Sequence, residues 1–81
     1  MKRRRPYARV KLKPDAVWEQ INRRNLSQNE LARLTNVSPG YLSQLIGGRR
    51  SPSAKVRRRL QSALDTPNFD CLFVLERCDE N

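Results

Sequence analysis

Eighty-one residues make one small domain, able to bury only about 60% of the surface its unfolded chain exposes, so an enzyme cleft and a separate binding module do not both fit. Seventeen Lys and Arg against eight Asp and Glu leave a net charge of +9, the balance of a protein that meets a polyanion. With no histidine and two cysteines, Cys71 and Cys78, there is neither a zinc ligand set nor a nucleophile–base pair, and no enzyme activity or cofactor is expected.

The two thiols, in a chain with no secretory signal, read as reduced cysteines of a cytoplasmic protein, one of them in the core. The basic N-terminus lacks the apolar stretch of a signal peptide or membrane span. Charge is unevenly spread: residues 1–64 hold sixteen basic and three acidic side chains, a net of +13, and residues 65–81 hold one and five, a net of −4. Different jobs are expected for the two ends.

In chain order, residues 1–6 form a basic arm, and "YARVKLK" at 7–13 alternates basic with apolar residues, which predicts a strand. Pro14 and Asp15 open a helix over about 15–24, with Val17, Trp18 and Ile21 at helical spacing and Trp18 taken as core or a lid over the sheet. Asn25 ends it in the left-handed conformation. Ser27 and Glu30 then make a capping box, flanked by Leu26 and Leu31 as a hydrophobic staple, for a helix over about 28–35 whose buried side is Leu31, Ala32 and Leu34.

Asn36 suits positive φ and breaks that helix. Ser38 caps the next, over about 39–46, with Pro39 at its first position and Val37 and Leu42 as a second staple. A fourth helix over about 54–64 places Val56, Leu60, Ala63 and Leu64 on one face. After the break at Pro67, "FDCLFVLER" reads as a strand over about 69–76 with apolar residues on both faces. A lone strand leaves its backbone groups unpaired, so it is expected to pair with residues 7–13, whose Arg9 and Lys11 complement the acidic end.

The run "QNELARLTNVSPGYLSQLIGGRRSPS", from Gln28 to Ser53, resembles the lambda-repressor-like helix-turn-helix proteins, which include Cro and the xenobiotic-response-element regulators. The resemblance covers about residues 15–64. It departs from the family in Asn36 where Gly is usual, in Arg57 where an apolar residue is frequent, and in the strand expected where the family often has a fifth helix. The implied fold is mainly α, a four-helix helix-turn-helix core with a small two-stranded sheet from the N- and C-terminal segments. The domain so read spans 7–76, between the arm and an acidic tail at 77–81.

The resemblance implies a stand-alone regulator, a repressor, that binds double-stranded DNA with helix 39–46 in the major groove and takes no small-molecule ligand. Base contacts fall to Ser38, Tyr41, Ser43 and Gln44. Gln44 is the best reader, because an amide can donate to N7 and accept from N6 of adenine together. Phosphate contacts fall to Gln28, Arg49 and Arg50, and to Arg3, Arg4 and Arg5 of the arm. The plain alternatives are a solvated loop for Arg49 and Arg50, a solvated face for Arg57, Arg58 and Arg59, and a solubilising tail for the arm. A homodimer follows if the free edge of the C-terminal strand meets its copy. The competing reading is an antitoxin-like protein that binds DNA and holds a partner protein through that strand. RNA binding is disfavoured, since single-strand readers present aromatics on a sheet and here the apolar strand is in the acidic segment.

Overall fold

Side-chain caps start most of the helices, and left-handed residues end them. The computed structural model describes residues 7–78, in the order β1 (Tyr7–Leu12), α1 (Pro14–Arg23), α2 (Gln28–Leu34), α3 (Pro39–Ile46), α4 (Ala54–Ala63), α5 (Phe69–Leu72) and β2 (Phe73–Cys78). The arm at 1–6 and the last residues, 79–81, lie outside the described residues.

Ser27, Ser38, Ser53 and Asn68 each accept a backbone N–H from the helix that follows. At Ser27 the capping box is complete: Ser27 Oγ accepts from the Glu30 amide at 3.0 Å, and Glu30 Oε1 accepts from the Ser27 amide at 2.7 Å. At the other ends Asn25 (φ 56°), Asn36 (φ 59°), Gly48 (φ 79°) and Asp65 (φ 49°) take the left-handed conformation. Each closes a Schellman turn. After α2, for example, the Val37 amide donates to Ala32 O at 3.0 Å and the Asn36 amide to Arg33 O at 3.1 Å.

The core is Val17 and Ile21 of α1, Leu31 and Ala32 of α2, Leu42, Leu45 and Ile46 of α3, Val56 and Leu60 of α4, and Leu64, closed by Leu12, Leu72 and Phe73 from the terminal segments. Ala32, 1% exposed, lets α2 and α3 approach closely around their short turn. Two expectations for this core are corrected. Leu34 is 56% exposed, and Thr35 is buried in its stead. The buried side of α2 is Leu31 and Ala32, continued one turn later by its C-cap Thr35, whose hydroxyl is satisfied by donating to Leu31 O at 2.8 Å and Ala32 O at 3.2 Å. Trp18 is 39% exposed, since Val17 and Ile21 take the inward line and leave it about 100° round the helix.

The termini do form the expected two-stranded sheet. β1 pairs antiparallel with β2, Leu12 opposite Phe73, Val10 opposite Leu75 and Arg9 opposite Glu76. The strand expected from residue 69 is corrected at its start. Asn68 Oδ1 accepts from the Asp70 amide at 3.0 Å and opens one turn of helix, α5, so the core gains a short fifth helix and the strand begins only at Phe73. Phe69 packs on Phe73 with ring centroids 5.2 Å apart. Cys71, a candidate for the core, is exposed, while the Cys78 side chain lies outside the described residues.

Candidate nucleic-acid interface

No Asp or Glu occurs between residues 31 and 64, a stretch with seven Lys and Arg that contains the whole of α3 and α4. Within it, α3 turns Leu42, Leu45 and Ile46 to the core. Its outer side consists of exposed Pro39, Gly40 and Ser43 with half-buried Tyr41 and Gln44. A Cβ built on Gly40 would have no heavy atom within 4 Å, so this surface is bare and unobstructed. The four expected base readers differ in their freedom. Ser43 is exposed, whereas Ser38 uses its Oγ to accept the Tyr41 amide at 3.1 Å, leaving its hydroxyl proton to donate. Tyr41 packs its ring partly on the core.

The loop after α3 brings two arginines to this surface. Gly48, at positive φ, forms the Schellman turn in which the Arg49 amide donates to Gln44 O at 2.9 Å and the Gly48 amide to Leu45 O at 3.2 Å. The chain is thereby folded back along the last turn of α3. Arg50 Nε donates to Gln44 Oε1 at 2.8 Å, and its guanidinium carbon stands 6.0 Å from the Tyr41 ring centroid, in cation–π range. Arg49 is exposed beside it. Lys11 of β1 donates to Gly48 O at 3.1 Å and so ties the sheet to the same loop. Sequence reasoning missed these links, although the Gly47–Gly48 pair after an apolar helix is a readable C-terminal signal.

Gln28 is half-buried at the first position of α2, where the helix presents unbonded amides to solvent. The arginines of α4 divide three ways: Arg57 donates to Pro52 O at 3.0 Å, Arg59 makes a long bond to Thr35 O at 3.4 Å, and Arg58 is exposed. Arg57 and Arg59 therefore tie elements of the fold together, beyond the merely solvated face the sequence allowed. Arg3, Arg4 and Arg5 lie outside the described residues.

The helix-turn-helix family model matches residues 19–67, more than half of the chain, from within α1 to the loop before α5. No curated protein matches the chain.

Proposed function

From the premise that the chain belongs to the lambda-repressor-like helix-turn-helix family of DNA-binding regulators, we propose that it is a repressor that lays α3 in the major groove of a short operator. One observation carries this reading: the outer side of α3 is bare, free of carboxylates and bordered by Arg49 and Arg50. A groove about 12 Å wide admits a helix, and the absence of bulky side chains at Pro39, Gly40 and Ser43 lets it approach closely.

In this reading α2 crosses the backbone, with Gln28 and the amides at the start of α2 on phosphates and Arg49 on a phosphate at the far side. Ser38, Tyr41, Ser43 and Gln44 face base edges, and Arg3, Arg4 and Arg5 follow phosphates or enter the minor groove. The test is Gln44→Ala, which should cost about 1–3 kcal/mol on the operator and relax discrimination at one base pair. Equal losses on operator and random DNA would make Gln44 a non-reading contact and count against the reading.

Dimerisation is proposed with it. Val74 and Leu75 are 42% and 57% exposed, and among the described residues β2 pairs only with β1. A second copy joined along β2 would set two α3 helices about 34 Å apart, one DNA turn, and favour a palindromic operator. Sedimentation at rising concentration should show a dimer that Leu75→Lys breaks. A stoichiometric heterologous protein on the same strand would favour the antitoxin-like alternative.

A further inference from the structure

We infer that Lys11 of β1, a residue outside the stretch matched by the family model, is a DNA phosphate contact, held in place for it by the carbonyl of Gly48. The inference rests on the proposed placement of α3 in the major groove and deepens it by adding a contact from the sheet. The Lys11 ammonium donates to Gly48 O at 3.1 Å across 37 positions of sequence, so β1 delivers a cation to the loop that carries Arg49 and Arg50. Gly48 immediately precedes Arg49, the side chain placed on a phosphate in that reading.

The bond to Gly48 O does not exhaust the group. An ammonium has three N–H donors and a full charge, and one backbone carbonyl takes a single donor and leaves the charge. Among the described residues no carboxylate pairs with Lys11; the ion pair present joins Arg23 to Glu19. Across the sheet Lys11 stands opposite Val74, whereas Arg9, on the same face of β1, stands opposite Glu76. The loop from Gly47 to Ser53 holds two arginines and no carboxylate, so the ammonium joins a patch of one sign. A phosphate oxygen accepts the donors that Gly48 O leaves free, in a charge-assisted bond. Being tied to Gly48 O beforehand, Lys11 also loses less rotamer freedom on gripping a phosphate than a lysine free in solvent would. A tie between β1 and the loop accounts for the bond alone and leaves the unpaired charge beside Arg49 without a role.

The experiment measures the salt dependence of binding to a selected operator duplex and to a random duplex, for the unaltered chain, Lys11→Gln, Lys11→Arg and Arg9→Gln. Lys11→Gln should lower the slope of log K against log salt by about 0.9, one phosphate contact, and weaken both duplexes by the same factor. Lys11→Arg should restore the slope, and Arg9→Gln should leave it as in the unaltered chain. Melting curves of each variant show whether the fold is kept. Acetylation of the unaltered chain, with and without the operator, gives a reading independent of any variant: DNA should shield Lys11 from the reagent. An unchanged slope in Lys11→Gln, or a Lys11 equally reactive with and without DNA, would make the residue a tie of the fold only and overturn the inference. An equal drop in slope from Arg9→Gln would reduce the effect to net charge and overturn it as well. An unaltered chain that binds no duplex would overturn the groove placement and the contact with it.

Discussion

The α2–α3 pair and the terminal sheet are held by different means. In α2–α3 the stabilising bonds are local: the caps at Ser27 and Ser38 and the Schellman turns at Asn36 and Gly48 all join residues within six positions of each other. The sheet joins residues 7–12 to residues 73–78, and among the described side chains its full burial is at the Leu12–Phe73 end. Leu12 and Phe73, 4% and 0% exposed, form that end, whereas the next cross-strand pair on the same face, Val10 and Leu75, is partly open to solvent. A two-stranded sheet alone is marginal in water, so this one depends on its anchor. The proposed reading surface therefore has its geometry fixed by local bonds, whereas the sheet depends on long-range pairing anchored at Leu12 and Phe73.

The largest effect should separate the two ends of the sheet. Phe73→Ala empties a fully buried site beside Leu12 and Leu72 and should cost about 3–5 kcal/mol in denaturant unfolding, while Leu75→Ala, one ladder step outward, should stay within about 0.5 kcal/mol. Similar losses from both would mean that the sheet is anchored along its whole length. A smaller effect tests the local bonds of the helix pair. Asn36→Ala forces a Cβ residue without a compensating side-chain amide into φ 59° and should lower stability by about 1–2 kcal/mol, whereas Asn36→Gly should not lose stability in thermal melting. An Ala variant as stable as the parent would show that the turn is not the constraint on α2 and α3. The smallest is Gly40→Ala, which meets no neighbour and should raise stability by roughly 0.5–1 kcal/mol while weakening operator binding. Unchanged operator affinity would place Gly40 away from the DNA.

What was legible in the sequence follows the same division. Ser27, Ser38, Asn25 and Asn36 could be read because each acts on backbone a few residues away, and the family's motif lies over that same stretch. Pairing of the termini was also readable, from alternating apolar residues and opposite charge. Side-chain direction was harder. Leu34 ends α2 and Thr35 caps it, and Thr35 goes inside because it follows the buried Leu31 by four residues and its hydroxyl is satisfied by the Leu31 carbonyl. The turn of α5 was hidden by the β-rich composition around it, although Asn68 after Pro67 is a cap signal. The Arg50–Gln44 bond needed the loop geometry set by Gly48, which spacing alone does not supply.

Whether α3 with the loop after it, and not the sheet, meets DNA is read by following the backbone amides by NMR while a selected operator duplex is added. Large shifts are expected at Gln28–Glu30, at Ser38, at Gly40–Gln44 and at Gly48–Arg50, with little change in β1 and β2 apart from Lys11, which is bonded to Gly48 O. Shifts concentrated along the strands, with α3 unmoved, would contradict this placement.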